Sequence, residues 1–117
     1  MFEAIALMCT AIDGDTLACG SERIRLQAID APEKPGTCRR GRTCVPGDYH
    51  ASKAALARLI AGKRVVIARN GTAAWGRTQA NAYVDGRNLA CRMIAGGWAV
   101  YQPRYDRGGI VRKECGL

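Results

Sequence analysis

The 117-residue chain is long enough for one compact domain and too short for two hydrophobic cores. Its 18 Lys and Arg residues against 10 Asp and Glu residues give a formal net charge of +8, which favours a polyanionic partner but also suits an ordinary solvated surface. No apolar run approaches the roughly 18 residues of a membrane-spanning helix, and the N-terminal residues lack a secretory-signal pattern, so no membrane association is expected.

The first third of the chain predicts three strands. Residues 1–12 are mostly apolar and contain no helix stop, and Asp13-Gly14-Asp15 provides turn chemistry. A short strand follows at 16–19, and residues 23–29 alternate between two faces. This pattern predicts a three-strand meander, in which we expect the first and third strands to be neighbours.

The remaining two thirds mix helical and extended patterns. Asp48 is a candidate helix N-cap, Asn70-Gly71 is a turn signal, and Asp85-Gly86 is a hairpin signal. The basic tail from Pro103 is predicted to be partly disordered. The predicted segments are, in order, a loop (30–47), a helix (49–61), two strands (63–69 and 77–84) and a second short helix (88–95). The inner face of the first helix is expected to carry Ala51, Ala54, Ala55, Leu56 and Leu59.

These elements predict a mainly β (α+β) fold in a single domain over residues 1–117. Five short strands, with one helix between the third and fourth and a second short helix near the C-terminus, match a five-stranded Greek-key barrel of the OB-fold type. Folds of this type often bind nucleic acids or sugars, but the fold alone does not establish a function.

Six cysteines are many for a chain of this length, and the sequence cannot choose their pairing. No C-x-x-C pair exists and the single histidine, His50, has no cysteine at ligand spacing, so structural zinc is not expected. Cys38 and Cys44 bracket an Arg-rich loop and can close it as a disulfide, with free thiols as the alternative. The compartment is left open: secreted or periplasmic if a leader has been removed, and cytoplasmic otherwise.

Four acidic residues are predicted to meet at one end of the barrel. Asp13 and Asp15 lie in the first turn, and Asp30 and Glu33 lie where the third strand leaves the sheet. Carboxylates close together repel each other unless a cation neutralises them. Oxygen ligands suit hard cations, so these residues predict a site for Ca²⁺, Mg²⁺ or another hard divalent cation.

Two arginines accompany these acids. Arg25 lies on the same strand as Asp30, and Arg77 begins a later strand. A guanidinium can hold two phosphate oxygens with parallel hydrogen bonds, and phosphodiester cleavage builds negative charge on such oxygens. Each residue alone has an ordinary explanation as a turn or solvated strand residue. Together, on a basic chain with this strand order, they favour metal-dependent phosphodiester hydrolysis.

Several sequence blocks resemble one known family. The blocks are residues 12–17, 24–26 with 29–33, 75–77, 84–89 and 96–99. Together they cover about residues 4–101 and are similar, in the same order, to the staphylococcal nuclease (thermonuclease) family. The resemblance implies an OB-fold barrel with helices that binds Ca²⁺ and hydrolyses DNA and RNA.

The resemblance also implies a metal site. Asp15 and Asp30 would be the side-chain ligands, and the backbone carbonyl of Ala31 would add a third oxygen. Asp13 would lie just outside this ligand set and act through water.

The same resemblance implies three catalytic residues. Glu33 would be the general base or would orient the attacking water. Arg25 and Arg77 would bind the scissile phosphate and stabilise the transition state. The segment 70–75 before Arg77 departs from the family, which usually has an acidic residue and a tyrosine there.

Other departures affect substrate binding. The tyrosine that packs on the nucleotide in the family has two candidates here, Tyr101 and Tyr105. Arg39 and Arg40 lie in a loop unlike that of the family prototype and are candidate substrate-binding residues. The C-terminal helix is expected to be shortened or absent, with lower stability or disulfide bonds in its place.

The sequence therefore predicts a calcium-dependent phosphodiesterase, an endonuclease acting on DNA, RNA or both as a monomer. The alternative is a non-catalytic nucleic-acid-binding OB-fold module, because related domains that have lost their acidic site residues occur in larger proteins. Retention of the four acids and both arginines favours the enzyme.

Overall fold

The computed structural model describes residues 6–117 as a barrel of β-strands with three helices packed around it. The strands are β1 (Ala6–Asp13), β2 (Thr16–Cys19), β3 (Glu22–Leu26), β4 (Ile29–Asp30), β5 (Arg64–Ala73), β6 (Arg77–Val84), β7 (Arg87–Asn88) and β8 (Val100–Tyr101). The helices are α1 (Tyr49–Ile60), α2 (Leu89–Ala95) and α3 (Ile110–Cys115).

Five strands close the barrel in the order β3-β2-β1-β5-β6. All neighbours in this order are antiparallel, and a parallel pairing between β3 and β6 closes the barrel. The predicted OB-fold class is confirmed. The expectation that the first and third strands are neighbours is wrong, because β2 lies between them and pairs with both.

Three predicted segments have different limits in the structure. The start of the predicted strand 1–12 lies outside the described residues, and β1 begins at Ala6. The predicted strand 23–29 is interrupted because Ala28 has a φ of 62°, in the left-handed region, where its carbonyl accepts a hydrogen bond from Gln102. The predicted turn at Asn70-Gly71 is a register shift inside β5, because Asn70 turns inward and donates to the buried side chain of Gln27.

Helix α1 begins as predicted, with the Asp48 side chain accepting a hydrogen bond from the Ala51 amide at 3.1 Å. Its inner face differs from the prediction: Ser52, Ala55, Leu56 and Ile60 are the buried positions. Ser52 can be buried because its hydroxyl donates to the Trp98 carbonyl at 2.8 Å.

The barrel interior and the helices share one hydrophobic core. Leu17, Ile24 and Leu56 are fully buried, as are Met93 of α2 and Val111 of α3. The helices therefore cover the barrel rather than extend it, and a cleft remains beside the β1–β2 turn.

The tail from Pro103, for which the composition predicts partial disorder, forms two single 3₁₀ turns followed by α3. The Asp106 carboxylate accepts hydrogen bonds from Gln27, Tyr101 and the backbone amides of Val111 and Arg112. Helix α3 has only six residues, so the C-terminal helix is present but short.

All six cysteines form disulfides: Cys9–Cys19, Cys38–Cys44 and Cys91–Cys115. The first joins β1 to β2, the second closes a loop between β4 and α1, and the third joins α2 to α3. Three disulfides in a chain of this size are typical of proteins that fold in oxidising compartments.

Candidate functional site

The acidic β1–β2 turn lies beside the end of β3. A register shift between Ala11 and Asp13 marks a bulge at the end of β1, and the chain then turns into β2 at Thr16. The Leu26 amide at the end of β3 donates to the Asp15 carbonyl at 2.9 Å. The segment that follows β3, which carries Asp30, is thereby held next to this turn although β2 separates the strands.

Gly14 lets two other elements approach the turn closely. A Cβ atom at this position would lie 2.7 Å from the Ala31 Cβ and closer still to the Ser52 hydroxyl. Only a residue without a side chain leaves room here for both α1 and the chain after Asp30.

The Asp15 carboxylate is buried, and each of its two oxygens has a hydrogen-bond partner. Its Oδ1 accepts from the Thr16 hydroxyl at 2.9 Å, and its Oδ2 accepts from the Ala31 amide at 3.0 Å and lies 3.3 Å from Arg25 Nη2. Burial raises the pKa of Asp15, but the Arg25 charge and the hydrogen bonds outweigh it, so its pKa lies below the ordinary value. Asp15 therefore stays ionised inside the protein.

Arg25 is held by the backbone and faces two acids. Its Nη1 donates to the carbonyls of Leu26 and Ile29 at 3.0 and 2.8 Å, which fixes the guanidinium. Its Nη2 lies 3.3 Å from Asp15 and 3.5 Å from Asp30. One guanidinium thus partly neutralises two carboxylates.

The other two aspartates are less well compensated. Burial, followed by hydrogen bonding to and charge repulsion from Asp15, raises the pKa of Asp13 to about 7. Burial and the Asp15 charge also raise the pKa of Asp30, against the opposing effect of Arg25. The raised pKa values reflect burial and the repulsion among neighbouring carboxylates, and a bound cation would relieve such repulsion.

Arg77 reaches the same cleft from the start of β6, the strand that pairs with β3. Its Nε donates to the Ala74 carbonyl at 2.8 Å, within a tight turn where Trp75 has a φ of 67°. This contact with its own chain orients the Arg77 side chain. Burial, and secondarily the Arg25 charge, lower the pKa of Arg77.

Glu33 has a partner that the sequence analysis did not single out as a site residue. Its Oε1 lies 2.5 Å from Nη1 of Arg42. Arg42 belongs to a loop whose sequence has no periodic pattern, so the sequence could not have predicted this contact. Cys44 Sγ lies 3.6 Å from the other Glu33 oxygen, but a disulfide sulfur has no proton to donate.

Two adjoining clefts collect these residues. The smaller, of about 200 Å³, is lined by all the predicted acids and by Arg25, Arg77, Arg42 and Trp75. The larger, of about 710 Å³, shares Arg25, Asp30, Arg42 and Arg77 with it. Residues predicted from four separate segments thus line one site.

The predicted substrate-binding residues are distributed unequally. Tyr105 lines the larger cleft, whereas Tyr101 donates to Asp106 at 2.7 Å and lines neither cleft. Arg39 lies over the Trp75 ring, with 5.2 Å from its Cζ to the ring centroid. Arg40 is exposed and lines neither cleft. Trp98, which follows α2, is 36% exposed.

The donors around the acidic turn are of the chemical type that hard cations prefer, although the oxygens of the three aspartates do not all lie within 4.8 Å of one another. They are the carboxylates of Asp13, Asp15 and Asp30 and the backbone of Ala31, all oxygen ligands. Within residues 6–117, three metal-ligating side chains come within 4.8 Å of one another only at Glu33, Cys38 and Cys44. That group is not a metal site, because both sulfur atoms are bonded to each other.

A family model described as staphylococcal nuclease homologue matches residues 23–114, which is most of the chain. The chain belongs to the staphylococcal nuclease family. The match includes Arg25, Asp30, Glu33 and Arg77, and Asp15 lies just before it. No curated protein matches the chain at a significant level.

Membership in the staphylococcal nuclease family carries a general functional meaning. It indicates a nuclease or a nucleic-acid-binding OB-fold domain, in a family that is typically dependent on divalent cations. In the part of the chain that the structure describes, no helix is long and apolar enough to cross a membrane.

Proposed function

We propose that this member of the staphylococcal nuclease family is a metal-dependent nuclease that hydrolyses phosphodiester bonds in DNA, RNA or both. The observation that supports this most strongly is the shared cleft of about 200 Å³, which Asp15, Arg25, Asp30, Glu33 and Arg77 all line. A binding module needs cationic residues for the backbone but has no need for four acids beside them.

The two arginines would bind the scissile phosphate. Arg77 uses Nε on its own turn, so its two terminal nitrogens are the groups for a phosphate. Arg25 uses Nη1 on backbone carbonyls, which orients the rest of its guanidinium. Donors fixed before the reaction stabilise the charge that develops on the phosphoryl oxygens without reorganising.

Glu33 would take the proton of the attacking water. General-base catalysis needs an ionised carboxylate within hydrogen-bond reach of the water, and Glu33 lines the same cleft as the two arginines. Its half-buried side chain leaves room for a water molecule, provided that Arg42 yields one carboxylate oxygen.

The divalent cation, for which Ca²⁺ is the first candidate, would be held by Asp15, Asp30 and the Ala31 carbonyl. Asp13 would lie outside this ligand set. A bound cation supplies Lewis-acid polarisation of a phosphoryl oxygen and neutralises negative charge. Within the protein, Arg25 keeps Asp15 ionised and oriented, which is what a ligand carboxylate requires.

For the substrate, Tyr105 in the larger cleft is the better placed of the two tyrosines to stack on a base. Arg104 lines the same cleft and adds positive charge along it. Arg39 holds Trp75 beside Arg77, so this pair would border the path of the strand.

The test is cleavage of supercoiled plasmid, single-stranded DNA and RNA by the purified protein in Ca²⁺, in Mg²⁺ and in chelator. We expect metal-stimulated cleavage that chelator abolishes. Asp15→Ala should lose metal affinity in a Ca²⁺ titration, whereas Asp85→Asn, at an exposed carboxylate at the far end of β6, should retain it. Binding of nucleic acid without metal-stimulated cleavage would favour the non-catalytic module instead.

A further inference from the structure

The loop between β4 and α1 contains a ring closed by the Cys38–Cys44 disulfide. We call residues 38–44 the disulfide loop. It has no helix or strand, and most of its residues are exposed. The disulfide limits how far the residues inside it can move from the chain after β4, where Glu33 lies.

Two contacts hold the disulfide loop across the smaller cleft. On one wall, Arg42 Nη1 lies 2.5 Å from Glu33 Oε1. On the other wall, Arg39 lies over the ring of Trp75, which is 77% exposed and is separated from Arg77 only by Gly76. The loop therefore spans the entrance between the two proposed catalytic groups, Glu33 and Arg77.

Both contacts are weak enough to be exchanged. The Arg42 side chain is 49% exposed, and solvent weakens ion pairs at such positions. The contact of Arg39 with the exposed Trp75 ring is weakened in the same way. A phosphodiester, which accepts two parallel hydrogen bonds from a guanidinium, can compete for Arg42.

The position of Arg42 between the two clefts determines which phosphate of a bound strand it would contact. Arg42 lines both the smaller cleft, which holds Arg25 and Arg77, and the larger cleft, which extends to Arg104 and Tyr105. A strand that places its scissile phosphate between Arg25 and Arg77 and continues into the larger cleft passes Arg42 at the junction. The phosphate next to the scissile one is therefore the nearest anion.

We propose that Arg42 is a third substrate-binding arginine, which pairs with Glu33 in the free protein and moves to the phosphate adjacent to the scissile one when a polynucleotide binds. This exchange leaves Glu33 free for water, so a substrate with more than one phosphate completes the site. The disulfide of the loop keeps Arg42 within reach. The inference rests on the proposed nuclease function.

Kinetics on two substrates tests the exchange. One is an oligothymidylate, and the other is the nitrophenyl ester of thymidine 5′-phosphate, which has a single phosphodiester. Arg42→Ala should raise KM for the oligonucleotide by about tenfold, as for loss of a charged hydrogen bond, and leave KM for the single-phosphodiester substrate unchanged. Arg42→Lys should recover part of the loss, and Cys38→Ser with Cys44→Ser should move KM in the same direction as Arg42→Ala.

The matched control is Arg64→Ala, at an exposed arginine at the start of β5, which lines neither cleft. It should leave KM for both substrates unchanged. An unchanged KM of Arg42→Ala for the oligonucleotide would overturn the proposal. So would an equal fall in kcat on both substrates at constant KM, since Arg42 would then only position Glu33.

Binding separates this proposal from the nuclease function. Fluorescence anisotropy of a labelled oligothymidylate in chelator should show weaker binding for Arg42→Ala than for Arg64→Ala. The slope of log affinity against log salt should fall by about 0.7, as for one phosphate contact to a single strand. Absence of cleavage by the unaltered protein would reject the nuclease function alone, whereas equal binding by the two variants, or no binding at all, would reject the role of Arg42.

Discussion

Single residues at the open end of the barrel set the spacing of the charged groups. Asp15 is buried and ionised because Arg25, Thr16 and the Ala31 amide all stabilise its charge. Loss of any one of these partners would leave a buried carboxylate partly uncompensated, which costs more than a surface contact is worth. Gly14 between the two aspartates decides how closely the flanking elements approach.

Gly14→Ala should destabilise the protein by about 1–3 kcal/mol, as for overpacking of a buried site. The added Cβ would press on Ala31 and on the Ser52 hydroxyl, both of which are buried. The measurement is the free energy of unfolding by urea, with Ser21→Ala, an exposed turn position, as the control. Equal urea midpoints for Gly14→Ala and the control would show that α1 can move away from the added Cβ without destabilising the protein.

At the scale of elements, side-chain pairs join strands that are distant in the chain. Glu22 of β3 accepts hydrogen bonds from Arg69 of β5 and from Thr78 of β6. The contacts with Arg69, and next with Thr78, lower the pKa of Glu22 from 4.5 to about 2. These contacts support the part of the barrel where β3 closes on β6.

A pH dependence follows from the Glu22 contacts. Because the pKa is lower in the folded than in the unfolded protein, the stabilisation is complete above the unfolded value of 4.5 and is lost as pH falls towards 2. Glu22 is half-buried and its partner Arg69 is exposed, so we expect a contribution of less than about 1 kcal/mol. The measurement is the difference in unfolding free energy between the unaltered protein and Glu22→Gln. This difference should be positive at neutral pH and should become smaller near pH 2. A difference that does not depend on pH would contradict the prediction.

The C-terminal elements depend on Asp106. Asp106→Ala removes acceptors for Gln27 and Tyr101 and for the first amides of α3. Gln27 is 1% exposed, so one of its two amide protons would be left without an acceptor while the other still donates to the Arg107 carbonyl. Together with the lost contacts of Tyr101 and α3, we expect a loss of about 2–4 kcal/mol. Thermal unfolding measures the loss, and hydrogen exchange at the Val111 amide should accelerate. Unchanged exchange at Val111 would mean that α3 is held by its disulfide alone.

Local sequence signals predicted the elements well where residues adjacent in sequence determine the structure. Asp48 caps α1 and Asp85-Gly86 joins β6 to β7, as their chemistry indicates. The break at Ala28 was not predictable, because a contact with Gln102, far along the chain, stabilises its left-handed backbone. The inner face of α1 was misassigned because Ser52 is buried only where the Trp98 carbonyl accepts its proton.

The candidate site likewise contains one part that could be predicted from the sequence and one part that could not. The acidic turn and the segment after β3 are short motifs, and the barrel order brings them together, so Asp15, Asp30 and Arg25 could be predicted as a group. The contact between Arg42 and Glu33 could not, because a loop without periodicity and a disulfide determine it. Six cysteines allowed many pairings, and only the fold selects three.

At the scale of the whole molecule, disulfides supplement a small core. The Cys91–Cys115 bond ties α3, which has six residues, to α2 across 24 positions in sequence. It therefore fulfils the expectation that disulfide bonds accompany a shortened C-terminal helix. The Cys38–Cys44 bond spans only six positions and constrains the unfolded chain less.

Replacing Cys91 and Cys115 by serine should lower stability by about 2–4 kcal/mol, through the greater freedom of the unfolded chain. The loss should exceed that of the double serine variant at Cys38 and Cys44, which serves as the control. Thermal unfolding of both variants gives the comparison. A larger loss for the shorter loop would show that the disulfide loop contributes to the fold and not only to the cleft.

The most direct test of the proposed nuclease is the cleavage rate of the oligothymidylate in Ca²⁺, measured for the protein and for Glu33→Gln. Removing the general base while keeping its shape should lower kcat by about 10²–10⁴-fold, with the thermal midpoint and Ca²⁺ affinity retained. Asp85→Asn, the same change at an exposed carboxylate, should cleave at the unaltered rate. A folded Glu33→Gln protein that cleaves as fast as Asp85→Asn would contradict the assignment of the site.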